Sequence, residues 1–239
     1  MITAVLFVPA APWLIPSVAP SLLAEQSALR RSISALIDTT PTSRWSALGV
    51  SAGGRSRWDR DLPMDLGADP YRGGQHPAGF PGCHFVARAL LGEVPLDAGV
   101  LAPSAPGDLP GDADPAGRAS VTDGLAELDE DDDGRALLVA ADGSTAHGEH
   151  APGGPDERAA GYDAAVHAAL VGGPAATRQW LGSTDGSAQL AAELGATLPT
   201  VLPAVLAALA GSSGAWEVTA HDLVMPYGVG HHILRWGRR

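Results

Sequence analysis

Asp142, Gly143, Ser144, His147, Glu149 and His150 follow directly on the apolar run 137–141. A run of that length reads as a buried strand, and in α/β proteins the loop leaving a strand is where chemical side chains gather. Three chemistries are open to such a cluster. His147 and His150 could ligate a metal together with His221, His231 or Glu193, since a metal site needs His, Asp or Glu converging from several loops. Ser144 could act as a nucleophile with a distant His, although Asp142-Gly143-Ser144-Thr145-Ala146 lacks the second Gly of a nucleophile elbow. The stretch could equally be a solvated turn. His231 and His232 are adjacent, so in a strand they face opposite sides and only one can join a given site. His76, His84 and His167 read as scattered surface or loop residues.

The elements that must position these residues follow from hydrophobic periodicity. Ile2 to Val8 is a near-continuous apolar run, as expected of a strand buried on both faces. Pro9 to Pro20 is too apolar for a linker and reads as an ordered loop. Ser21 to Ile37 repeats its apolar residues at helical spacing and is followed by Pro41. Trp45 to Ser51 gives a second buried strand. This β-α-β order predicts a right-handed parallel crossover. A helix is expected over Phe85 to Leu91 and a short strand over Ala98 to Ala102. A third buried strand is expected over Arg135 to Ala141. Helices should then cover Tyr162 to Val171, Pro174 to Leu181 and Ala188 to Leu209, the last broken at Pro199 and Pro203. Trp216 to Ala220 and His231 to Trp236 close the chain as strands, with a tight turn at Pro226 to Gly230. The fold class is therefore α/β: a single three-layer α/β/α domain over residues 1–239, with a mostly parallel or mixed central sheet. Polar, Gly- and Pro-rich stretches at about 55–80 and 103–134 are its long loops, and the acidic run 129–133 is a solvated connection.

Composition narrows the function. The 239 residues carry a formal charge of −12, and every basic residue is Arg. Nucleic acid is a poor partner for such a chain, because phosphate binding needs clustered cations. A phosphate-binding loop of the Gly-Lys type cannot exist without Lys, and the first strand runs into prolines rather than a Gly-rich turn. Cys83 is the single cysteine, so no internal disulfide forms; a reduced, cytoplasmic setting fits. The apolar N-terminus lacks a basic n-region, and no run approaches the roughly 18 apolar residues of a membrane span. No membrane partner is expected.

The order of the motifs resembles one family. Val8-Pro9-Ala10-Ala11-Pro12-Trp13-Leu14-Ile15-Pro16, directly after the first strand, resembles the Pro-His-Pro-Pro-Leu-Leu-Val-Pro opening of actinobacterial proteins similar to class III extradiol dioxygenases (LigB-like). Leu137 to Ser144 resembles their Gly-Asp-Gly-Ser segment. Ala151-Pro152-Gly153 and Tyr162-Asp163-Ala164-Ala165-Val166 resemble the two motifs that follow it. Pro226-Tyr227-Gly228-Val229-Gly230 with Trp236 resembles the closing motif. The resemblance runs in order through nearly the whole chain.

What it implies is a non-haem Fe2+ held by two His and one Glu, with a further His as acid/base. The chain departs from that set. The His of the opening motif falls on Ala10, and a methyl group cannot ligate iron. The second ligand is due near Ser51-Ala52-Gly53-Gly54, where there is no His. Glu193 is the acid nearest the expected Glu position, and His147 is a shifted match to the acid/base His. The expected function is thus a non-catalytic or repurposed small-molecule-binding scaffold without a cofactor. The alternative is a metal-dependent oxidoreductase or hydrolase that holds Fe2+ or Zn2+ on relocated ligands among His147, His150, His221 and His231. Its pocket is expected at the carboxyl ends of the strands, lined by Ala10, Pro12, Trp13, Gly53, Gly54, Tyr227 and His231, with His147, Asp142 and Ser144 as the candidate catalytic groups. A homodimer is ordinary for this fold.

Overall fold

The computed structural model describes residues 1–15, 21, 23–51, 57–59, 86–87, 90–91, 96–103, 125, 134–210 and 214–239, with the backbone alone at 23–25, 51, 57–59, 96–103, 220 and 221. Seven strands form one mixed sheet: β1 (Ile2–Val8), β2 (Trp45–Ser51), β3 (Arg57–Asp59), β4 (Leu96–Pro103), β5 (Arg135–Ala140), β6 (Trp216–Val224) and β7 (His231–Arg238). Their spatial order is β3-β4-β2-β5-β1-β7-β6. The four central strands β4, β2, β5 and β1 run parallel. The edges are antiparallel: β3 against β4, and β7 against both β1 and β6. The expected β1-α-β2 crossover is present, but β5 lies between its two strands.

Each face of the sheet carries its own core, and the pleat of the strands sorts the residues between them. Ala4, Leu6, Val8, Leu138 and Ala140 face α1 (Leu23–Asp38), where Leu29, Ile33, Leu36 and Ile37 pack with Val86, Ala87, Leu90 and Leu91. Val5, Phe7, Leu137 and Val139 face the other layer. That layer holds α2 (Arg158–Val171), α3 (Gly173–Leu181), α4 (Ala188–Glu193) and α5 (Leu198–Ala208). β1 and β5 thus bury both faces, as their continuous apolar runs require; each fully buried Leu or Val contributes about 1.5–3 kcal/mol. Phe7 meets Trp236 edge-on at 4.7 Å, and the Trp236 indole N–H donates to the Leu170 carbonyl at 2.8 Å, which ties β7 to α2.

Four expectations change. The break in 188–209 falls at Gly195, whose φ of +66° ends α4, rather than at the prolines. Pro199 sits in the first turn of α5, where its missing N–H costs nothing, and Pro203 is carried inside that helix. The last-but-one strand runs to Val224 instead of Ala220, because β7 offers it partners along its whole length. Within the expected loop 55–80, residues 57–59 pair with β4. Within the expected loop 103–134, Pro103 ends β4, and Leu125 is helical and fully buried. The rest of those two loops lies outside the described residues. Among the described residues, no helix is long and apolar enough to cross a membrane.

Candidate functional site

The loop leaving β5 is clamped on both sides by backbone. Gly143 N–H donates to the Gly230 carbonyl and Gly230 N–H to the Ser144 carbonyl, each at 2.7 Å. On the other side, Thr145 N–H donates to the Leu194 carbonyl at 2.9 Å, and Leu198 N–H to the Asp142 carbonyl at 2.8 Å. The chain leaves β1 toward the α1 face and leaves β5 toward the α2–α5 face. In α/β proteins ligands bind beyond the carboxyl ends of the strands, where such loops part. Asp142 stands there: its Oδ1 accepts the Ala10 backbone N–H at 3.1 Å, joining the two loops.

Two histidine–carboxylate assemblies result. In the first, His231 Nδ1 lies 2.7 Å from Asp142 Oδ1, with the imidazole fully buried. A carboxylate oxygen only accepts, so in the neutral ring Nδ1 carries the hydrogen and donates. His231 Nε2 is buried and has no hydrogen-bond partner among the described residues. Trp13 stands over this ring at 5.9 Å between centroids, and Tyr227 meets Trp13 edge-on at 5.4 Å. Trp13 belongs to the Pro12–Leu14 3-10 turn directly after β1; residues 16–20 of the expected Pro9–Pro20 loop lie outside the described residues.

In the second assembly, the fully buried carboxylate of Asp163 holds several donors at once. His147 Nε2 is 2.6 Å from Oδ2, His232 Nε2 is 3.4 Å from Oδ1, and the Ser144 N–H donates at 3.0 Å. Burial pushes the Asp163 carboxyl up, but the hydrogen bonds from His232 and His147, the His232 charge and the Ser144 amide outweigh it and hold the group below its ordinary value. His167 stacks on His232, their ring centroids 5.6 Å apart. Glycine is required at two positions here, because a Cβ on Gly143 or Gly230 would strike the Asp163 carboxylate.

The candidate residues therefore divide. Ala10, Trp13, Asp142, Tyr227 and His231 come together; Pro12 opens the turn that carries Trp13. Gly53 and Gly54 lie outside the described residues, as does the His221 side chain. His147 belongs with Asp163 rather than with Asp142. Ser144 is fully buried; its hydroxyl donates to the Leu194 carbonyl at 3.2 Å and accepts the Ala146 N–H at 3.1 Å. That hydroxyl braces the loop between Leu194 and Ala146. His150 is exposed on the loop surface, and Glu193 binds the Arg158 guanidinium at 2.8 Å on the outside of α4. Neither approaches His147 or His231 in any hydrogen bond or ion pair among the described residues, and the His221 side chain lies outside them. Among the described residues, no group of three or more His, Cys, Asp or Glu could hold a metal ion. The two-His-one-Glu set implied by the resemblance does not fit either: Ala10 offers a methyl group, and its N–H is engaged by Asp142.

Asp163, His167 and His232 are the residues that spacing alone undervalued. The signal for Asp163 was present: it shares the buried face of α2 with Ala159, Val166 and Leu170, and a carboxylate on an apolar face needs partners. Nothing in the sequence says that those partners are His147 and His232.

No family model matches this chain, and no curated protein matches it. Among solved structures, an uncharacterized protein of Escherichia coli K12, JW3007, is similar over 98% of this chain and 99% of its own, at a TM-score of 0.52 and 15% identity. That likeness concerns the fold.

Proposed function

We propose that the chain is a small-molecule-binding protein on a scaffold resembling the class III extradiol dioxygenases, repurposed away from iron-dependent ring cleavage. The observation that carries this reading is the Asp142–His231 pair closed onto the Ala10 N–H. The resemblance puts an iron ligand at Ala10. This chain has a methyl group there, and the neighbouring carboxylate and imidazole bind each other. The aromatic groups Trp13 and Tyr227 beside that pair supply apolar contact area of the kind that lines ligand sites.

The experiment is elemental analysis of protein purified without a chelating tag, paired with oxygen uptake on a catechol. Iron and zinc well below one per chain, with no uptake after iron is added, is the expected result. One iron per chain together with uptake would overturn the reading.

A further inference from the structure

An acceptor nitrogen that is buried and unpartnered is costly unless something meets it. Among the described residues, His231 Nε2 is such an atom. Its other nitrogen is fixed by Asp142 at 2.7 Å, so the neutral ring presents a lone pair and not a hydrogen at Nε2. Trp13 lies against the same imidazole, and Tyr227 packs on Trp13 while 45% exposed. Tyr227 holds this place at φ +58°, a left-handed conformation that costs a residue with a side chain about 1–2 kcal/mol. Strain of this kind persists where the surrounding structure fixes it, and such positions cluster at ligand sites. The turn is fixed here by the His147 N–H donating to the Gly228 carbonyl at 3.1 Å.

We propose that His231 Nε2 is the hydrogen-bond acceptor for a neutral planar ligand that donates an N–H or O–H, with Trp13 and Tyr227 against the ligand's apolar body. Asp142 acts as a positioning residue, because it fixes which nitrogen accepts. Anions are disfavoured, because the Asp142 carboxylate lies beside the ring and the chain carries a net charge of −12. The inference deepens the binding-protein reading and rests on it.

Three probes test it on the whole chain labelled with 15N-histidine. Indole carries a planar N–H donor. Benzofuran has nearly the same shape without the donor, and benzoate is an anion. Indole should move the His231 Nε2 resonance, assigned with His231→Gln, and bind about ten-fold more tightly than benzofuran, the worth of one satisfied buried acceptor. Benzoate should leave the resonance unmoved. Equal binding of indole and benzofuran, an Nε2 signal unmoved when indole is saturating, or no binding of indole up to its solubility would each overturn the proposal. The indole and benzofuran pair needs no variant, so it stands even if His231→Gln fails to fold. Metal analysis and oxygen uptake on the same sample separate the two ideas, because one iron per chain together with uptake sinks the binding-protein reading, whereas equal binding of indole and benzofuran sinks only this one.

Discussion

His231 and His232 are neighbours in β7 yet serve different carboxylates on opposite faces of the sheet. His231 Nδ1 is 2.7 Å from Asp142, on the α1 side, and His232 Nε2 is 3.4 Å from Asp163, on the α2 side. The two-residue pleat of a strand forces the division. One strand start therefore anchors two loops, one crossing from β1 and one lying under α2.

Gly230→Ala and Gly143→Ala should each destabilise the fold by about 1–3 kcal/mol, the range for forcing a methyl group into a packed site, because each Cβ meets the Asp163 carboxylate. Gly161→Ala is the control. Its Cβ would meet nothing within 4 Å on the α2 helix, so it should stabilise by about 0.5–1 kcal/mol. Urea unfolding midpoints would check all three.

Asp163 should make the protein acid-sensitive. Its folded-state pKa is lowered, so its contribution is present above the unfolded value of about 3.9 and is lost as pH falls through the folded value. Stability of the native chain should thus decline below about pH 4 more steeply than that of Asp163→Asn, which has no group to protonate there. Parallel slopes in a pH series of thermal melts would remove Asp163 from that role.

Ser144→Ala should cost about 1 kcal/mol, the typical net worth of a hydrogen bond, through the lost contact to Leu194. A serine-reactive phosphonate should leave Ser144 unlabelled, as its hydroxyl is buried. Mass-spectrometric detection of an adduct on Ser144 would restore it as a nucleophile.

Glu193→Gln should leave the urea unfolding midpoint essentially unmoved, as expected for a solvent-exposed ion pair; Arg158 and Glu193 are 53% and 42% exposed. It should also leave the metal content of the protein unchanged. A fall in bound metal on this substitution would reinstate Glu193 as a ligand.

Much of the fold was legible in the chain because its signals are local. Ala4 to Val8 and Ala136 to Ala141 are apolar without alternation, which identifies central strands, and the structure buries them on both faces. Pro199 and Pro203 misled, because a proline breaks a helix only where its N–H and its preceding turn are needed. In α5 one proline falls in the first turn, and the helix accommodates the other.

The site was legible only in part. From the residues alone it follows that Asp142 leaves a buried strand, that Ala10 cannot ligate iron, and that His231 and His232 must face apart. Side-chain chemistry and the period of a strand suffice for all three. Which carboxylate each histidine meets was settled by packing in three dimensions. Asp142 and His231 are brought together only because β7 pairs with β1 beside β5, and Asp163 reaches His147 and His232 only because α2 packs across that same strand end. Hydrogen bonds between residues so far apart in the chain depend on the register of strands and the packing of a helix, and no spacing along the sequence encodes either.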